Sequence, residues 1–236
     1  MIILAVDSSA VAASAALAEN NKILGEFYCN TGLTHSQTLM PMINGLLQST
    51  KTLLSNVDLL AVSAGPGSFT GIRIGIATVK GLAFTDDKPC VGVSTLETIA
   101  NNLSHLDATI CAVMDARCGQ VYNAVFRSSK GNVERLTADR AIRADELASE
   151  CEKYPKPLFL VGDGAKLCYN IQGFQSVGAL LAPETLLYQR ASGVARAAAE
   201  AYQKGLAVSP DALRPFYLRP AQAERVLKNK RRDQQK

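Results

Sequence analysis

At 236 residues with 47% hydrophobic side chains, the chain can bury one large core or two lobes of about 100 residues each, which excludes a disordered protein. The net charge of +4 is uneven: residues 214–236 hold eight basic side chains against Glu224 and Asp233, which leaves the first 213 residues at −2. No apolar run approaches the roughly 20 residues that cross a bilayer, and Met1 to Val6 meets Asp7 with no basic start, so a cytoplasmic protein without membrane contact is expected.

In chain order, residues 1–7 and 12–18 read as two strands around a Ser8-Ser9 turn, and Lys22 to Tyr28 as a third. Leu39, Met42, Ile43, Leu46, Leu47, Leu53 and Leu54 then form a broad helical stripe over residues 35–54, wide enough to serve two neighbours. A short apolar strand from Leu59 to Val62 breaks into a loop holding Gly65, Pro66 and Gly67, and a helix follows over about 70–84. A strand feeding a glycine-rich turn at a helix start gathers free N–H groups and suits an anion, so Gly65 and Gly67 are candidate phosphate contacts. The loop matches neither common phosphate motif: Gly71 precedes Ile72-Arg73 where a Walker loop needs Lys then Ser or Thr, and Thr70 stands where the dinucleotide fingerprint needs Gly or Ala. A tight turn permitting close helix–strand packing is the competing reading. Gly71, Gly75 and Gly81 leave one side of the helix small, which suits close approach by another helix.

Pro89 to Val93 reads as a strand and Ser94 to Glu97 as a helix start. The segment Ile110 to Phe126 then repeats the opening of the chain: apolar strand, aspartate (Asp7, Asp115), short turn, second strand. Pro157 to Ala165 gives a buried strand entering a Gly-Asp-Gly turn, and residues 184–204 a long alanine-rich helix. Two lobes that each open on strand, aspartate and hairpin suggest an actin-like, hexokinase-like (ASKHA) α/β fold with duplicated mixed-sheet lobes. The first lobe is expected over 1–103, joined by 207–236, and the smaller second lobe over 104–206. In that fold the first turn faces a nucleotide phosphate or its metal, which makes Asp7, Ser8 and Ser9 candidates, with an Asx-turn as the structural alternative for Asp7. Asp115 is a second candidate base or metal ligand. The six cysteines are scattered without a C-x-x-C pair and read as reduced core residues. The basic tail suits RNA, an acidic partner or a solvated end, and no aromatic residue follows Tyr217.

Taken together, Ile3-Leu-Ala-Val-Asp-Ser-Ser, Thr34-His-Ser-Gln-Thr-Leu-Met-Pro, Ala64-Gly-Pro-Gly-Ser-Phe-Thr-Gly-Ile-Arg-Ile-Gly, Gly92-Val-Ser-Thr-Leu, Met114-Asp-Ala-Arg and Pro215-Phe-Tyr-Leu-Arg make the chain similar to the TsaB (YeaZ) family over nearly its whole length. The resemblance implies a non-catalytic subunit that binds and activates TsaD in making N6-threonylcarbamoyladenosine on ANN-decoding transfer RNAs. It implies TsaE as a further partner, a homodimer when alone, and transfer RNA met indirectly. The family's bundle-forming surface maps to Leu39, Met42, Ile43, Leu46, Leu47, Gly71, Arg73, Ile74, Gly75, Thr78 and Leu82. No cofactor is then required by the chain itself, with ATP or ADP bound within or at the interface of the complex. TsaD-type relatives hold a metal through H-x-x-x-H, whereas here Leu39 stands four residues after His35 and His105 is the only other histidine, so no metal set is expected. The alternative is a stand-alone phosphotransferase, ATPase or M22-type metallopeptidase of the same superfamily.

Overall fold

The computed structural model describes residues 1–20 and 22–219. A first sheet is built from β1 (Ile2–Asp7), β2 (Ala13–Glu19), β3 (Lys22–Cys29), β4 (Leu59–Gly65) and β5 (Cys90–Ser94), with helices α1 (His35–Ser49), α2 (Phe69–Ala83) and α3 (Thr95–Asn101) between and after them. A second sheet uses β6 (Ala108–Asp115), β7 (Gln120–Ser129), β8 (Asn132–Arg135), β9 (Arg140–Arg143), β10 (Leu158–Val161) and β11 (Leu180–Leu181). Its helices are α4 (Ala144–Glu150), α5 (Ala165–Tyr169), α6 (Gln172–Ser176), α7 (Glu184–Leu187) and α8 (Ala191–Gln203).

The strand order β3-β2-β1-β4-β5 in one sheet is matched by β8-β7-β6-β10-β11 in the other. In each, the opening hairpin is antiparallel and the next two pairings are parallel. This is the duplicated actin-like α/β plan that the repeated strand–Asp–hairpin predicts, and it sets Asp7 and Asp115 at equivalent strand ends. The central strands β1, β4 and β6 are buried on both faces, which is why they read as continuous apolar runs and not as alternating ones.

Helices α3 and α8 cross over between the halves. The far face of the first sheet, including Ile3, Ala61 and Val91, packs on Ala191, Val194 and Ala198 of α8. Leu96, Ile99 and Ala100 of α3 instead join the second core with Ile110, Val125 and Leu160. The expected division at 103/104 therefore does not follow the packing: α8 covers the first sheet although it lies within 104–206. Gly193 permits the crossing, because a Cβ there would press on the Thr98 backbone carbonyl.

Two helices are shorter than their sequence patterns predict. The stripe over 35–54 ends at Ser49, because Lys51 turns left-handed (φ 51°) and the Thr50 and Thr52 N–H groups close back on Leu46 and Leu47. Leu53 is left exposed. The pattern over 184–204 is broken at Tyr188–Arg190, and α8 begins where Ser14 Oγ accepts from Ala191 N–H (2.8 Å) and Glu26 Oε1 from Ser192 N–H (2.9 Å). Those caps come from strands far away in sequence, so no local signal marks the start. Of the basic tail, residues 220–236 lie outside the described residues.

Candidate functional site: the turns facing the interlobe cleft

In the first lobe the turn after β1 closes on itself. Asp7 is fully buried, and its Oδ1 accepts from Ser9 N–H (2.9 Å) and Ser9 Oγ (2.7 Å) while Oδ2 accepts from the Ser63 hydroxyl. Burial, opposed by these donors, pushes its carboxyl above the ordinary aspartate range. Asp7 thus forms the Asx-turn and presents no oxygen to the cleft. Replacing Asp7 by Ala strips the acceptor from three donors and is expected to destabilise the fold by about 2–3 kcal/mol, whereas Asp7→Asn keeps the shape and stays within about 1 kcal/mol. Urea unfolding of both variants checks this; equal losses would mean that the charge itself matters.

The glycine loop and α2 are docked onto the same turn. Ser8 Oγ donates to the Gly71 carbonyl (2.9 Å), and Ser68 N–H donates to the Ser9 carbonyl (2.6 Å). A Cβ at Gly71 would collide with the Ser8 carbonyl, and one at Gly67 with the Ser9 carbonyl. Gly65, at φ +131°, lies under the Phe216 carbonyl, and Phe216 N–H returns a bond to the Ala64 carbonyl (2.7 Å). Gly71 N–H is taken by the N-cap Ser68 Oγ (3.2 Å). The Ser68 and Gly71 N–H groups at the start of α2 are therefore used within the chain. Of the five candidate contacts, Asp7, Ser8 and Gly65 are sealed, while Ser9 and Gly67 border the cleft. His35 Nε2 bonds the Ala10 carbonyl (2.7 Å) and so pins the same turn.

The second lobe presents its carboxylates more openly. Asp115 ends β6, with Oδ1 accepting from Arg117 N–H (2.7 Å) and Oδ2 paired to Arg117 Nη1 (3.2 Å). Gly162 and Gly164 lie so close to the Val113 carbonyl and the Met114 backbone that Asp163 is carried beside Asp115, where its Oδ1 accepts Asp115 N–H (3.3 Å). Burial, reinforced by the Asp115 charge, raises the Asp163 carboxyl to about 6. The two acids, Ser9, Gly67, Tyr122 and Arg219 border an interlobe cavity of about 360 Å³. A larger cavity of about 680 Å³ runs along α8; of its charged groups Glu26 and Arg190 pair with each other (2.9 Å), while Arg196 bonds to Ser104 Oγ and the Gly131 carbonyl. The interlobe cavity is the one bordered by two adjacent carboxyl groups.

Residues 213–219 strap the mouth of the cleft. Tyr217 stacks on Phe69 (centroids 4.8 Å apart), Arg73 lies over Phe69 (3.7 Å) and donates Nε–H to Tyr217 Oη (2.9 Å), and Arg219 Nη1 reaches the Ala116 carbonyl (2.8 Å). In the sequence Gly162-Asp163-Gly164 reads only as a turn, and Arg219 as part of the basic tail. The signal for Asp163 was its pair of flanking glycines.

The helical surface divides in two. Leu39, Met42, Ile43 and Leu46 are buried in their own lobe, as are Gly71 and Gly75; a Cβ at Gly75 would lie 2.6 Å from Ser8 Oγ and 3.1 Å from Val62 Cγ2. A bulky residue at Gly75 would therefore strike its own fold before it met a partner. Arg73 is exposed and Leu47, Ile74, Thr78 and Leu82 are half-buried, so of the eleven candidate interface residues these five are the ones a partner can reach.

A sequence model of the family described as TsaD: tRNA N6-adenosine threonylcarbamoyltransferase matches residues 30–226. The chain is 32% identical to the Bacillus subtilis tRNA threonylcarbamoyladenosine biosynthesis protein TsaB, over 71% of this chain and 73% of that one. It is 31% identical to the Escherichia coli protein of the same name, over 93% and 95%. YeaZ from Pseudomonas aeruginosa superposes with a TM-score of 0.75 at 28% identity, covering 92% of this chain and 100% of that one. The spans of these matches take in the glycine loop, both lobes and the strap, and the chain belongs to the TsaB family of tRNA threonylcarbamoyladenosine biosynthesis proteins.

Proposed function

We propose that the protein is a non-catalytic subunit that binds and activates TsaD in forming N6-threonylcarbamoyladenosine on transfer RNA. The observation that carries this reading is the closed first turn: Asp7 spends both carboxyl oxygens on Ser9 and Ser63, and Ser8 and Ser9 are spent docking α2 and the glycine loop. What α2 keeps outward is a face suited to packing, with Ile74, Ala77, Thr78, Gly81 and Leu82 at helical spacing and open space at Gly81. A subunit of this kind acts by binding one conformation of its partner better than another, which needs no chemistry of its own. TsaE joins the assembled pair, and ATP or ADP belongs to the assembly. A metallopeptidase needs converging ligands, and among the described residues no group of three His, Cys, Asp or Glu side chains comes together.

Multi-angle light scattering of the chain alone and mixed with TsaD tests the proposal. A homodimer that gives way to a one-to-one heterodimer is expected, and Thr78→Arg is expected to weaken pairing at least about tenfold with thermal stability retained. A monomer indifferent to TsaD, or a Thr78→Arg chain that pairs normally, overturns it. ATP hydrolysis by the chain alone would favour the phosphotransferase alternative.

A further inference from the structure

An open groove of about 390 Å³ runs between α2 and the C-terminal strap, bordered by Arg73, Lys80, Asp211 and Arg214. Its three cations all bond to neutral acceptors. Arg73 donates to Tyr217 Oη (2.9 Å), Lys80 Nζ to the Asp211 carbonyl (3.3 Å), and Arg214 to the Asp211 and Leu213 carbonyls. None of them forms a salt bridge among the described residues, although eight other basic residues do. These neutral oxygens aim the cations without neutralising them. Among the described residues Asp211 is the single carboxylate bordering the groove, and the first 213 residues are net negative, so the positive strip is local.

Two partly exposed rings follow the charges along the strap, at the border of the interlobe cavity, with Tyr217 stacked on Phe69. Phe216 is 48% exposed and Tyr217 36% exposed at the end of the same strap, an apolar cost that a solvated tail has no need to carry. Cations that track a backbone, next to rings on which bases can stack, are the pattern by which proteins hold single-stranded nucleic acid. The strap leads directly into Arg225, Lys228, Lys230, Arg231, Arg232 and Lys236, which extend the basic character in sequence. We infer that the groove between α2 and residues 211–217 binds the sugar–phosphate backbone of RNA directly, with Lys80 and Arg214 as phosphate contacts and Phe216 as a stacking face. The inference rests on the proposed role in transfer RNA modification for the identity of the RNA, and it changes that role from indirect to direct contact. An acidic protein surface would satisfy the charges and leave the exposed rings unexplained.

The test is fluorescence anisotropy of a labelled, unmodified transfer RNA transcript with the full-length chain between 50 and 200 mM KCl. Two lost phosphate contacts flatten the plot of log affinity against log salt by about 1.4, so Lys80→Gln/Arg214→Gln should bind about tenfold more weakly at 150 mM. Phe216→Ala should weaken binding and leave the salt slope unchanged. A control of equal charge, Lys22→Gln/Lys204→Gln, should retain both affinity and slope. An unchanged slope in the groove variant, an equal loss in the control, or displacement of the RNA by polyglutamate at matched charge would each overturn the inference. Thermal melting verifies that the variants fold. Because the readout needs only this chain, a failure to pair with TsaD bears on the proposed function and leaves the RNA result standing.

Discussion

Gly71→Ala is expected to destabilise the protein by about 3 kcal/mol or more, the upper end of what overpacking costs. The added methyl would collide with the Ser8 backbone carbonyl, and the His35 ring stands 3.2 Å away on the other side. Neither neighbour can yield cheaply. Ser8 lies in a turn fixed by Asp7 and by its own bond to the Gly71 carbonyl, and His35 is tied to the Ala10 carbonyl. Helix α2 would have to lift from β1, carrying the Ser68–Ser9 bond and the buried Ile72 with it. Gly81→Ala on the same helix is the matched control: a Cβ there meets nothing within 4 Å, and helix propensity alone should stabilise by up to about 1 kcal/mol. Urea unfolding of the two variants reads both signs. If Gly71→Ala were as benign as Gly81→Ala, the close contact between α2 and the first turn would not exist in solution.

That contrast also shows where sequence reasoning stops. Gly71, Gly75 and Gly81 look alike as a small-residue stripe, yet two of them face the chain's own first turn and one faces open space. Small size signals close approach and carries no label for the neighbour. The strand-level plan was readable because β-period and buried runs are local: the Asp7 and Asp115 hairpins, the strand before the glycine loop and the Gly-Asp-Gly turn are all visible as patterns. What was unreadable depends on distant partners. Nothing near Ala191 announces that Ser14 and Glu26 will cap α8, and nothing near Asn101 says that α3 will serve the second core. The two aspartates diverge for the same reason. Asp7 and Asp115 share a motif, but Ser63 comes from a strand 56 residues away to seal the first, while the second meets Arg117, Asp163 and the cleft.

Asp163→Asn is expected to stabilise the protein at neutral pH by about 2–3 kcal/mol. The Asp163 carboxyl is raised from 3.8 to about 6 in the fold, chiefly by burial. The folded state therefore holds this proton more tightly than the unfolded chain does. Its stabilising contribution is complete below about pH 4, is lost as pH rises from about 4 to about 6, and above that the folded protein carries a disfavoured charge. A rise from 3.8 to about 6 corresponds to roughly 3 kcal/mol, discounted somewhat because the carboxyl borders the cleft. Asparagine keeps an oxygen for the Asp115 N–H at the position of Oδ1 and removes both the buried charge and its repulsion with Asp115. Unfolding free energies of the two proteins should thus coincide near pH 4, separate through pH 5 and 6, and run parallel above pH 7. Comparing the pair cancels the carboxylates distant from Asp163. A gap independent of pH would place the Asp163 carboxylate in water and the cleft open around it. The expected gap would mean that the protein holds a destabilising acid beside Asp115, in the second lobe, where the fold leaves carboxylates facing the interlobe cavity while the first lobe has sealed its own.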